Sequence, residues 1–182
     1  MVRGDAREEV LLPAALKLFA RHGVSGTSLQ MIADELGVSK AAVYHHHHTK
    51  ESIVLAVLWP AFEQVAALVE RVGSLPAGGA RRRALVEGLA EQAVTHRQLY
   101  AVMLRDVAVP ALVASEPRLA APFAVLRREL QPDHEPATAP LRVAMFLAGL
   151  VAPAGDPEIA QLSDEQLRRG IVDVGERLLD LG

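Results

Sequence analysis

Between Thr27 and Ile53 the chain reads TSLQMIADELGVSKAAVYHHHHTKESI, two short helical phrases joined at one glycine and followed by a third that opens with its own cap. Leu29, Ile32, Ala33 and Leu36 fall at i, i+3, i+4 and i+7, an apolar stripe that an α-helix must bury against another surface. Thr27 and Gln30, three apart, predict a capping box that starts this helix near Ser28. Gly37 is expected to end it, since glycine takes the left-handed backbone without a Cβ penalty. Ser39 is the next N-cap and Lys40 to about His46 the second helix, which leaves room only for a tight corner between the two. Thr49 caps a third helix whose first residue is Lys50.

A helix-turn-helix of these dimensions fits a DNA major groove. On the second helix Val43 is expected to pack inward, with Lys40, Ala41, Tyr44 and His45 on the opposite face. Small Ala41 and Ala42 permit close approach to base edges, while Tyr44, His45 and His46 carry polar groups for a base or a phosphate. Lys50, at a helix N-terminus, reads as a phosphate clamp, because free amides and a fixed charge act on one anion. The expected DNA-facing set is therefore Thr27, Ser28, Gln30, Ser39, Lys40, Ala41, Ala42, Tyr44, His45, His46 and Lys50, with double-stranded operator DNA as partner.

The pattern T-S-L-x-x-I-A-x-x-L-G-V-S-K-A-A-V-Y-x-H-x-x-x-K-E, preceded by AALKLFARHG at Ala14 to Gly23, resembles the N-terminal domain of TetR/AcrR-type bacterial transcriptional regulators. The resemblance covers about the first 55 residues. It implies an all-α homodimer whose C-terminal domain binds a small molecule and sets the spacing of two DNA-reading heads, usually as a repressor. Two positions depart from that pattern. His47 stands where members usually carry an aromatic residue, and four residues after Val43 it is expected to face inward. Pro13 lies inside what is normally continuous first helix, so that helix is expected to begin near Leu12 or to bend there.

Composition excludes several alternatives. With no cysteine there is neither a disulfide scaffold nor a thiolate metal site. No uninterrupted apolar run approaches the ~20 residues of a membrane span, and MVRGDAREE lacks the apolar core of a signal peptide, so a cytoplasmic location with no membrane partner is expected. The net charge is −3, but residues 1–50 carry six Lys/Arg against five Asp/Glu, while the remainder carries 13 against 17. A head with so few cations predicts few phosphate contacts and a shallow salt dependence of DNA binding.

Past the head, 3.6-residue periodicity continues without a strand signal. Lys50 to Val72 reads as one helix kinked by Pro60, with Ile53, Val57, Phe62, Val65, Leu68 and Val69 inward, and GSLPAGG at Gly73 to Gly79 as a loop. Helices are expected at Arg81–Thr95, Leu99–Val107, Glu116–Leu130, Leu141 to about Val151 and Ser163–Leu181. Pro110 and Pro117 are expected to break the 108–117 stretch, and Gln131–Pro140 is a second loop. Ser163 and Gln166 form a capping box, and Leu167, Ile171, Val174, Leu178 and Leu181 a stripe on the last helix. The fold class is all-α: a three-helix DNA-binding domain at 1–49, then a larger helical effector-binding and dimerisation domain at 50–182. The last two helices are the expected homodimer interface, a four-helix bundle across a two-fold axis.

Trp59, Phe62, Tyr100, Met103, Phe123, Met145 and Phe146 are the large or polarizable side chains available for an effector chamber, with Arg105, His96 or Asp106 to orient a polar group. Aromatic residues make up only 4% of the chain, which favours an aliphatic, methionine-containing pocket over an aromatic cage. No cofactor is expected. The His45–His48 run does not suggest a metal site, because successive helical residues point about 100° apart. An enzyme finds no support either: there is no nucleophile with a base and an orienting acid, no phosphate-cradling glycine loop and no HExxH pair. The competing reading within DNA binding is a C-terminal domain that serves as a protein-interaction module without a small-molecule effector.

Overall fold

The computed structural model describes residues 5–106, 108–132 and 137–181, and every regular element among them is helical. In order these are α1 (Asp5–Gly26), α2 (Leu29–Leu36), α3 (Lys40–His46), α4 (Lys50–Gly73), α5 (Gly79–Thr95), α6 (Arg97–Arg105), α7 (Ala108–Ser115), α8 (Pro117–Glu129), α9 (Ala139–Gly149) and α10 (Asp164–Leu178). Two short 3-10 turns, Ala152–Gly155 and Ile159–Gln161, join the last two helices. The end of the expected Leu99–Val107 helix and part of the Gln131–Pro140 loop fall outside the described residues.

Local chemistry accounts for the head. Ser39 accepts from the Ala42 amide, Thr49 from the Ser52 amide, and Gly37 closes α2 in the left-handed conformation at φ 65°. The start of α2 differs from the expected capping box. Ser28 is the N-cap, accepting from the Met31 amide, whereas the Thr27 hydroxyl donates back to the Gly23 carbonyl and Gln30 donates to Asp34. Both hydroxyls can cap, and Thr27 is drawn inward, 2% exposed, by its bond to the end of α1. Pro13 does not delay α1, which starts at Asp5 and carries the proline within it; the non-helical residue of α1 is Gly23, at φ 74°.

Two apolar cores run through the molecule. The first gathers Phe19 of α1, Ile32 of α2, Val43 of α3 and Ile53, Leu58 and Phe62 of α4, and extends to Leu99 and Val102 of α6, Val109 of α7 and Leu119 of α8. The second joins Val65, Leu68 and Val72 of α4 to Leu85 and Leu89 of α5, Phe146 of α9 and Leu167 and Ile171 of α10. Helix α4 thus contributes its first half to one core and its second half to the other. By length and composition it is apolar enough to cross a membrane, but here it is packed on both halves by the protein's own helices. Val57 and Val69, expected inward, are only partly buried, and Val54, Leu58 and Ala61 take the deeper positions.

Against expectation, 108–115 is a helix. Pro110 sits in the first turn of α7, where its missing N–H has no helical acceptor to lose, and Pro117 is the first residue of α8. At the far end, Ser163 and Gln166 exchange the two bonds of a capping box at α10. Gly175 lets α10 close onto its neighbours: a Cβ there would lie 2.7 Å from Phe146 Cε2 and 2.8 Å from Val86 Cγ1. Val174 departs from the expected stripe, being 58% exposed while Leu167 and Ile171 are buried.

Candidate functional site

One face of α3 is held and the other is open. Val43 is buried to 1% exposure and anchors the helix on the first core, while Lys40, Ala41, Tyr44 and His45 are exposed and Ala42 and His46 half-buried. Lys40 has no ion-pair partner among the described residues. The Tyr44 ring meets His48 edge-on with centroids 5.1 Å apart, and His45 and His46 pack likewise at 5.5 Å. His48, exposed beside Tyr44, was not in the sequence-derived set; its i+4 spacing from Tyr44 was the available signal. His47 turns inward, 8% exposed, with Nδ1 3.4 Å from the Ser52 hydroxyl. Ser28, Ser39 and Gln30 are exposed at the neighbouring helix starts. Among the described residues no three His, Asp or Glu side chains are grouped to hold a metal ion.

Thr27 and Lys50 do not belong to that open face. Thr27 is buried with its hydroxyl engaged. The Lys50 ammonium donates to the Thr27 carbonyl at 3.1 Å and to the Ser25 carbonyl at 3.4 Å, so it ties α4 to the α1–α2 turn instead of standing free for an anion. The same turn is gripped from the other side. Asp106, directly after α6 and 7% exposed, accepts from the Ser25 amide at 2.7 Å, the Ser25 hydroxyl at 2.8 Å and the Ala108 amide at 3.0 Å. The Ser25 hydroxyl above all, then the two amides, hold its carboxyl below the usual carboxylate range. Asp106 is therefore occupied as a clasp and not as a ligand-orienting group.

A second candidate site lies in the body. A cavity of about 400 Å³, partly open to solvent, is lined by Phe62 and Val65 of α4, Tyr100 and Met103 of α6, Pro110 of α7, Phe123 and Arg127 of α8 and Ala144, Leu147 and Ala148 of α9. Of the side chains nominated from sequence, Phe62, Tyr100, Met103 and Phe123 meet here. Trp59 does not: its ring stacks under the Arg118 guanidinium at 4.4 Å. Met145 is 55% exposed on the outer side of α9, and Phe146 lies in the second core beneath Gly175. The error is one of helical phase, since Ala144, Leu147, Ala148 and Val151 are the i, i+3, i+4, i+7 set that lines the cavity. Three of the chain's seven aromatic side chains line it, with Phe62 and Phe123 at 5.1 Å, so the scarcity of aromatics overall did not determine where they gather. His96 lies at a separate cleft, its Nε2 3.1 Å from Gln64 Oε1, and burial lowers its pKa; the Arg105 side chain falls outside the described residues. Arg127, not singled out from sequence, is the charged residue at the cavity among the described residues.

The outer side of α9 and α10 forms a third feature. Leu141 of α9 is exposed, and Met145, Leu162 and Val174 are exposed around a groove of about 270 Å³ whose lining includes Gly149 and Gly170, both with open space where a Cβ would stand.

A capped helix-turn-helix with an exposed basic and aromatic face is thus mounted on a helical body that carries an apolar cavity. Residues 11–57 match the model of the bacterial regulatory proteins of the tetR family. The chain is 29% identical over 107 residues, 57% of its length and 36% of the relative's, to the uncharacterized HTH-type transcriptional regulator YuxN of Bacillus subtilis. It is 34% identical over 85 residues, 47% of its length and 40% of the relative's, to the HTH-type transcriptional repressor KstR2 of Rhodococcus jostii. Among solved structures it resembles the ketosteroid transcriptional regulator KstR2 of Mycobacterium tuberculosis, with a TM-score of 0.70 and 18% identity over 96% of this chain and 93% of that one. The tetR-family match thus lies in residues 11–57, and the solved structures share the fold of the whole chain. The chain spans 36% or less of the length of the first curated relatives it matches.

Proposed function

We propose that this protein is a dimeric, ligand-responsive DNA-binding transcriptional regulator, a repressor that leaves a pseudo-palindromic operator when a small apolar molecule enters the body. The observation that carries the reading is the two-sidedness of α3: Val43 fixed in the core, Lys40, Ala41, Tyr44 and His45 left open, with an ammonium at the helix start that has no ion pair among the described residues. The proposed DNA-facing set is these four together with Ser28, Gln30, Ser39, Ala42, His46 and His48; Thr27 and Lys50 are left out on the grounds given above. Lys40 is placed for base edges or the adjacent phosphate, and Tyr44 for the backbone.

Dimerisation is supported by the uncovered apolar surface of Leu141, Met145, Leu162 and Val174, for which a second copy across a two-fold axis is the simplest cover. Two heads then reach half-sites one DNA turn, ~34 Å, apart. The coupling route is the clasp. The chamber is walled by α4, α6 and α7, and the ends of those helices hold the α1–α2 turn through Lys50 and Asp106. A ligand that prefers one arrangement of those walls moves the head with them. The cavity also weighs against a body that serves only as a protein-interaction module, since such a module has no use for unfilled apolar volume.

The test is titration of the full chain against the DNA flanking its own gene. Lys40→Ala is expected to lose sequence preference and Tyr44→Ala to weaken binding to all sequences. Sedimentation should show a dimer in the wild type and a folded monomer in Val174→Asp, with operator affinity lost alongside. Wild-type binding in both head variants, or a monomer that binds operator at full strength, would overturn the reading.

A further inference from the structure

The chamber carries two polar groups that its apolar walls do not satisfy. Tyr100 is 9% exposed, and its hydroxyl makes no hydrogen bond among the described residues. Burial raises its pKa to about 12, so the phenol stays neutral and able to donate. A buried phenol ordinarily finds a partner, and the cavity it lines is where one has room. Arg127, exposed at the edge of the same cavity, has no ion pair among the described residues. Its neighbours are differently placed: Arg128 meets Glu129 at 3.5 Å, and Glu129 is also held by Arg81 at 2.8 Å.

We infer that the chamber takes an amphiphile with a single anionic head, a medium-chain carboxylate, with the head on Arg127 and Tyr100 donating to its oxygen or to a polar atom near it. The inference rests on the effector reading above and adds the ligand's class. Among the described residues no Asp or Glu lines the cavity, which disfavours a cation, and one arginine without a cradle of backbone amides is too little for a polyphosphate. The remaining wall is carbon, with Phe62, Met103, Phe123 and Leu147 facing an aliphatic or alicyclic body. A volume of about 400 Å³ lies within the range of pockets that bury a small organic ligand.

The experiment is calorimetric titration of the full chain with decanoate and with decanol, the same chain without the charge. Decanoate is expected to bind about tenfold more tightly, the ratio that one charge-assisted hydrogen bond supplies. Arg127→Gln should remove that advantage and leave decanol binding unchanged. Tyr100→Phe should weaken decanoate by a few-fold, and Ala144→Trp should block both ligands by filling the cavity. Decanol binding as tightly as decanoate, blocked by Ala144→Trp, would overturn the anionic class while leaving the effector chamber standing. Neither ligand binding would overturn the chamber assignment with it. Melting temperatures of the three variants near that of the wild type establish that each is folded.

Discussion

Helices α3 and α9 are both short, and they use their surfaces in opposite ways. Seven-residue α3 has two faces, one carbon and one polar, and side-chain caps mark its start and that of the helix after it. Eleven-residue α9 has three, all largely apolar: Val143 and Phe146 in the core, Ala144, Leu147 and Ala148 at the cavity, and Leu141 and Met145 open to the outside. Where polarity changes around a helix, residue type announces the face. Where it does not, residue type is silent and only packing distinguishes core from chamber from interface.

That contrast can be broken first at its most buried point. Phe146→Ala should destabilise the chain by about 3–5 kcal/mol, on the order of 10 °C in melting temperature, because the ring fills space between α10 and α5. Next is the clasp, which joins the two regions. Asp106→Ala leaves the Ser25 amide and hydroxyl without their acceptor, a loss of about 1–3 kcal/mol by denaturant titration at neutral pH. Because the folded carboxyl titrates below its unfolded value, the wild type's advantage over Asp106→Asn is present above the unfolded pKa near 4 and should fade as pH falls below it. Ser39→Ala removes the cap of α3 and should lower stability by about 1 kcal/mol, with operator affinity falling further as the reading helix frays. Smallest is Met145→Ala, expected to change the stability of the single subunit by less than about 0.5 kcal/mol despite the loss of a large side chain. A large effect of Met145→Ala in a monomeric background would mean that the outer face of α9 is core after all.

The same contrast explains what was legible in advance. The Gly37 stop, the Ser39 and Thr49 caps, buried Val43 and inward His47 follow from hydrogen bonds and periodicity within a few residues of each other. Thr27 misled because two adjacent hydroxyls both satisfy the capping pattern, and the choice fell to the distant Gly23 carbonyl. The hold on Lys50 had no local signal for a similar reason: the carbonyls it donates to are more than 20 residues away. In the body, the other helices were readable but α7 was not, since prolines that end one helix also start another. The chamber was legible as chemistry and not as address. Its aromatic and methionine side chains were nominated, while Met145 and Phe146 stood one step of helical phase from the residues that line it, and Arg127 had no local signal at all.

The division of α4 between two cores bears on how this protein can be recombined. A graft that takes residues 1–49 as a transferable reading unit would leave Ile53, Leu58 and Phe62 behind, stripping the donor piece of the side chains that close its interior. A workable splice in a chimaera falls between Phe62 and Val65, where the shaft passes from one interior to the other. Even there the recipient must supply counterparts of Leu99, Val102 and Asp106, or the transplanted reader arrives without its footing.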